Sequence, residues 1–200
     1  MSNAPTKRGE YAKSRTRRQE ILEAAFEVFA VGGYRGSSMR EIAERVGMSQ
    51  PGLMHHFPTK ESLLVSLLEL RDERTTDHIN SNPPGLATIR ELITHMVANQ
   101  NFPGHIELFA LLSAEAIAAD HPAHAYFAEH YRQTLDMISA SFATMSAQGQ
   151  LREDVSPERL ARQMVALMDG LQLQWLHDRS SLDMAVELTA WLRGISTVEF

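Results

Sequence analysis

Residues 40–63, REIAERVGMSQPGLMHHFPTKESL, set two short apolar patterns on either side of Gly47, and their reading decides the fold. Ser37 or Ser38 caps a helix, with Glu41 three residues beyond Ser38 as in a capping box; Ile42, Ala43 and Val46 give it one apolar side, and Gly47 ends it. Ser49 can cap the next helix, whose first turn tolerates Pro51 because an N–H there has no partner to lose. That helix holds barely two turns. Helices near 38–46 and 50–56 joined by a three-residue turn have the dimensions of a helix-turn-helix. Short helices suffice in such a unit because one braces the other. Leu53 and Phe57 can pin the second helix from behind, leaving its exposed residues to enter a major groove about 12 Å wide. A helical hairpin used only for packing has the same pattern.

Working outward, Leu22, Ala25, Phe26 and Phe29 recur at i, i+3, i+4 and i+7, which predicts a first helix from about Ser14 to Val31, stopped by Gly32-Gly33. Thr59 caps a fourth helix from Lys60 to about Asn80, with Pro58 marking the boundary before it. The segment Asn80–Gly85, NSNPPG, is a strong break. Beyond it the pattern predicts helices near 85–99, 104–119, 122–148, 156–177 and 181–195. No alternating strand-like run occurs, so the expected class is all-α.

Composition bounds the function. The chain has 200 residues, 44% of them apolar, enough for a packed core, and no cysteine, which excludes disulfides, thiolate nucleophiles and Cys-ligated metal centres. No apolar stretch is long enough for a membrane span and the start carries no apolar export core, so a cytoplasmic protein without a membrane partner is expected. The net charge is −6, but residues 1–60 hold ten Lys/Arg against six Glu, a local +4, while residues 61–200 carry −10. A basic head for a polyanion and an acidic body held away from it fit this split; solvated charge on both halves fits it too.

The residues AFEVFAVGGYRGSSMREIAERVGMSQPGLMHHFPTKESLL resemble the N-terminal domain of TetR-family transcriptional regulators over about Arg17 to Leu68. The resemblance rests on the GYRGSSMREIA entry to helix two, the GMS turn, the LxHHF end of the recognition helix and the PTKESL start of helix four. It implies an N-terminal three-helix helix-turn-helix DNA-binding domain followed by a helical C-terminal ligand-binding and dimerisation domain. The division expected is a basic arm at 1–13, the DNA-binding domain at 14–60 and the ligand-binding and dimerisation domain at 61–200, with the hand-over in helix four. The implied function is that of a homodimeric repressor that binds a palindromic double-stranded DNA operator and is released by a small-molecule effector. A helical ligand-binding or adaptor protein without specific DNA binding is the alternative.

Carried over by position, Ser38, Met39 and Arg40 open helix two, where a hydroxyl and a guanidinium suit phosphate; Arg40 can equally pair with Glu44 at i+4. Ser49, Gln50, Pro51 and Gly52 begin the recognition helix. Gln50 can take an adenine bidentately and Pro51 can pack on a thymine methyl. Met54 stands where the family often has an aromatic with a polar tip, so a phosphate-bonding hydroxyl is missing. His55 and His56 can donate to phosphate, and Lys60 adds its charge at the start of helix four. The arm Lys7–Arg18, with six of the ten basic residues, can follow the DNA backbone or minor groove.

In the C-terminal domain Leu160, Met164, Leu167, Leu171 and Trp175 form one stripe of the 156–177 helix, and Val165, Met168, Leu173 and Leu176 extend it round other faces. Such a helix needs cover on two sides, so pairing with the 181–195 helix in a two-fold four-helix interface is expected. The expected interface residues are Leu160, Met164, Leu167, Met168, Leu171, Leu182, Val186 and Leu192. Phe102, Phe109, Tyr126, Phe127, Met137, Met145 and Trp175 are the candidate effector-pocket residues, although such residues at helical spacing also make plain core. His121 and His124, with His130 and Glu129 nearby, form a His-x-x-His pair, but Pro122 lies between the two and no third ligand is fixed by spacing, so no metal and no cofactor are expected. No H-E-x-x-H, P-loop, G-x-G-x-x-G, Glu-x-x-His or G-x-S-x-G motif occurs, and no enzyme is expected.

Overall fold

A computed structural model describes residues 7–79, 82–152 and 155–200, without the side chains of 7–14 and 71–79. The described residues contain nine α-helices: α1 (Lys7–Gly36), α2 (Met39–Arg45), α3 (Gln50–His56), α4 (Lys60–Ile79), α5 (Leu86–Gln100), α6 (Pro103–Glu115), α7 (His124–Ala147), α8 (Pro157–His177) and α9 (Met184–Ile195). Two compact units divide the chain, residues 1–70 and 71–200, with the division inside α4.

The first unit is built on α1. Its apolar positions Ile21, Leu22, Ala25, Val28 and Phe29 are buried, as are Ile42 and Ala43 of α2, Leu53 of α3, Phe57 after it, and Leu63 and Leu64 of α4. The helix starts at Lys7 rather than near Ser14. The stretch KRGEYAK contains one glycine among good helix formers and no proline, so nothing in it stops the helix. Gly33, at φ 64°, breaks α1 where the double glycine predicts, and the buried Ser37 Oγ closes the end by donating to Gly33 O at 2.6 Å, with Val28 O also in range at 3.1 Å. Residues 1–6 of the expected arm, and Asn80 and Ser81 of the expected break, lie outside the described residues.

In the second unit α7 and α8 pack along each other, α9 packs on α5 and α8, and α6 packs on α5 and α8. Ile89, Met96, Ile138, Phe142, Met145, Leu160, Met164, Trp175, Leu188 and Leu192 make its core. The sequence predicts α6 to residue 119, but it stops at Glu115. Turn-type bonds then take over, from Ile117 N–H to Ala114 O and from Ala118 N–H to Glu115 O, and lead into His121-Pro122. After α9, Ser196 bridges to Leu151, with Arg152 N–H donating to Ile195 O at 2.8 Å and Thr197 N–H to Gln150 O at 2.9 Å. None of the described helices is long and apolar enough to cross a membrane.

Candidate nucleic-acid interface

The unit α2-turn-α3 is held by local chemistry at each end. Ser38 caps α2, its Oγ accepting from Glu41 N–H at 3.1 Å. At the other end Gly47 adopts φ 65°. Met48 N–H donates to Ala43 O at 2.9 Å and Gly47 N–H to Glu44 O at 3.1 Å, the paired bonds that close a helix through a left-handed residue. Ser49 then caps α3, its Oγ accepting from Gly52 N–H at 3.2 Å. A Cβ on Gly52 would lie 3.2 Å from that same oxygen, so the cap and the glycine suit each other.

Leu53 and Phe57 point inward, and Gln50, Pro51, Met54 and His55, at i, i+1, i+4 and i+5, share the opposite, exposed face. This face holds two polar residues, a proline ring and a thioether, with no carboxylate to repel phosphate. Gly52 and His56 lie half-buried at its edge. Ser38 and Ser49 spend an oxygen lone pair on capping and keep the hydroxyl proton as a donor. Met39 is half-buried, whereas Arg40 is exposed and bound to Glu44 at 2.8 Å, the i+4 partner that sequence spacing offers.

Lys60 does not simply extend into solvent. Its ammonium donates to Ser37 O and sits 4.4 Å from the centre of the Tyr34 ring. Burial, with Glu61 nearby, raises the Tyr34 pKa, so its ring stays an uncharged platform. The bond to Ser37 brings the positive charge of α4 to the residue before Ser38, so two expected phosphate-contacting positions from different helices meet. The start of α4 is fixed by reciprocal bonds, Ser62 N–H to Thr59 Oγ1 at 3.0 Å and Thr59 N–H to Ser62 Oγ at 3.2 Å. The His56 pKa is lowered, by burial first and then by the charges of His55, Arg18 and Arg17.

In the second unit the expected pocket residues separate. Met145 and Trp175 belong to the core, with Met137 packed against it, and Phe102 is exposed beside His105. Phe109, Tyr126 and Phe127 do come together, with ring centres 5.1 Å apart in both the 109–127 and 126–127 pairs and His130 stacked on Tyr126 at 6.0 Å. Sequence reasoning missed the neighbouring pair, Tyr131 O–H donating to Asp169 at 3.0 Å from α7 to α8. Asp169 is half-buried, and the loss of solvent raises its pKa. An acid within an apolar stripe was its only signal.

The expected interface residues need a correction. Leu160, Met164, Leu171 and Leu192 are buried in the chain's own core, because α7, α6 and α9 already pack on α8, and α5 packs on α9. Leu167, Met168 and Leu182 are half-buried against the core, while Val186 is 61% exposed and Leu173, on the other side of α8, is 51% exposed. Among the three histidines considered for metal, His121 Nδ1 accepts from Ala123 N–H at 3.2 Å and His124 Nδ1 lies 2.8 Å from Ala116 O.

A capped two-helix unit joined through a left-handed glycine, with a histidine-bearing outer face free of carboxylates, defines the class: a helix-turn-helix DNA-binding protein. Residues 21–67 match the family model of bacterial regulatory proteins of the tetR family, and residues 86–195 match that of the BetI-type transcriptional repressor C-terminal domain. The chain belongs to the TetR family of transcriptional regulators, and is not an enzyme.

Its relatives include the transcriptional repressor KstR of Mycobacterium tuberculosis, 30% identical over 181 residues, which cover 87% of this chain and 80% of that protein. The repressor AcnR of Corynebacterium diphtheriae is 28% identical over 155 residues, 77% of this chain and 78% of that one. A TetR-family regulator from Agrobacterium tumefaciens has the same fold, with a TM-score of 0.77 at 22% identity over 92% of this chain and all of that one. A regulator from Saccharomonospora viridis, solved in complex with choline, aligns with a TM-score of 0.73 at 23% identity, again over 92% of this chain and 100% of its own.

Proposed function

We propose that this chain is a cytoplasmic repressor that binds a palindromic operator as a homodimer and releases it when a small-molecule effector occupies the second unit. The observation that carries the reading is the exposed face of α3. Gln50 and Pro51 are its base-reading residues; Ser38, Met39, Arg40, Ser49, Gly52, Met54, His55, His56 and Lys60 line the backbone around them.

Support for the dimer comes from the outer side of α8 and α9. Ala166 and Leu173 on α8, and Val186 and Ala190 on α9, are exposed, and a Cβ on Gly170 or Gly194 would meet nothing within 4 Å. Small residues let helices approach closely, and Leu173 and Val186 supply apolar area for a second copy, with Leu167, Met168 and Leu182 at the margin. A dimer fixes two recognition helices at one spacing, so a two-fold operator is read by both.

For the effector, Phe109, Tyr126 and Phe127 remain the candidates, and Asp169 adds a carboxylate bonded to Tyr131. Aromatic faces beside a carboxylate suit an organic cation, and the choline held by the S. viridis regulator is a precedent in a similar fold. The effector acts only through differential affinity: a hundredfold release of DNA takes about 2.7 kcal/mol. Light scattering on the chain alone and on its DNA complex tests the stoichiometry. Twice the 22.4 kDa chain mass, and two chains per duplex, is the result expected; a 22.4 kDa species at micromolar concentration contradicts the dimer.

A further inference from the structure

Sequence alone assigns Arg17 and Arg18 to the DNA-seeking arm, yet both guanidinium groups turn toward the protein. Arg17 reaches across 29 residues to donate to Val46 O at 3.2 Å, and it also pairs with Glu20 at 2.5 Å. Val46 is the C-cap of α2. Arg18 donates to His56 O at 2.7 Å, and His56 is the last residue of α3. The Arg18 guanidinium also lies 4.1 Å from the centre of the Phe57 ring, the buried C-cap of α3.

Helix ends leave carbonyls without partners and carry partial negative charge. The turn at Gly47 uses Ala43 O and Glu44 O, and Phe57 N–H uses Leu53 O. The Val46 and His56 carbonyls are therefore the ones that adjacent arginines of a single helix reach. We propose that Arg17 and Arg18 are positioning residues: from α1 they cap the carbonyl ends of α2 and α3 and so set the angle at which the recognition helix is presented, without contacting DNA themselves. Planarity suits Arg18 to this task, since one guanidinium donates in its plane while its face stacks on Phe57. Lysine can supply the charge but not both contacts.

The inference rests on the DNA-binding reading above, and its test has an arm that needs no DNA. In the full chain, amide hydrogen exchange of Arg18→Ala is expected to be about tenfold faster at Leu53 and Phe57, whose N–H groups close α3, with α1 amides little changed. Unchanged exchange at both overturns the clamp, whether or not the protein binds DNA.

The second arm uses a duplex selected by the wild-type chain from random DNA, with a scrambled duplex as control, followed by anisotropy against salt. Arg18→Ala is expected to lose about tenfold on the selected duplex, little on the scrambled one, and to keep the wild-type salt slope. Equal loss on both duplexes, with a slope lower by about 0.9, assigns Arg18 to a phosphate and overturns the proposal. Arg18→Lys separates the readings again if the alanine variant does not fold. A clamp loses selectivity with lysine, whereas a phosphate contact keeps near wild-type binding.

Discussion

Gln50, Lys60 and His56 each have a distinct signature in binding measurements. Gln50 is exposed on the outer face of α3, so Gln50→Ala should relax preference at one base pair, costing about 1–3 kcal/mol on the preferred operator and little on random DNA. Equal loss on both would remove its readout role. Lys60 carries both a charge and the bond to Ser37 O, so Lys60→Ala should weaken all DNA alike and lower the salt slope by about one. The same change should cost about 1 kcal/mol of stability in chemical unfolding, because the Ser37 carbonyl loses its donor. For His56 the folded pKa is below the ordinary 6.5, so the unfolded chain binds the proton more readily. Stability should therefore fall as pH drops through about 6.5, with the loss complete once pH is below the folded value. A phosphate would draw the proton back, so operator affinity should rise over the same fall. His56→Gln should flatten both profiles in melting and anisotropy; an unchanged profile would place the titration elsewhere.

At the scale of the elements, the turn and caps that were legible in sequence are the ones that hold the reading head. Ser38, Gly47 and Ser49 occur as capping and stop signals in a local pattern, and each does in the structure what its residue type dictates. Ser49→Ala should cost about 1 kcal/mol and Leu53→Ala about 2–5 kcal/mol, read as shifts of the denaturant midpoint. Long-range partners were not legible. Nothing local in KSRTRRQE says that Arg18 meets His56 O thirty-eight residues away, and the sequence stripe on α8 cannot say which of its faces the chain itself covers. Hence Leu160, Met164, Leu171 and Leu192, expected at a partner, are core.

Asp169 was overlooked for the same reason, since only the α7–α8 packing buries it against Tyr131. Its raised pKa makes the charged form costly near neutral pH, and protonation relieves that cost as pH falls through the folded value. Asp169→Asn keeps an acceptor for Tyr131 and should raise the melting temperature at pH 7 by about 2–4 °C, with the gap closing toward pH 4. A lower melting temperature would mean that the charge is compensated.

For the whole molecule, the function we propose couples three properties: a reading head, a second copy that would fix the spacing of two heads, and a body that would prefer one spacing when an effector is bound. Val186→Glu should charge an exposed apolar position of α9, shift the mass toward 22.4 kDa and weaken operator binding at least tenfold while leaving the fold intact by circular dichroism. The net charge of −6 hides the head because the −10 body outweighs it, which makes salt dependence a better probe of DNA contact than overall charge. The measurement that bears most directly on the account is selection of bound fragments from random and genomic DNA by the full chain, with affinity then followed against salt. The account predicts an enriched palindrome bound by two chains with a steep salt slope. A folded protein that enriches no sequence, or binds every duplex equally, would contradict it.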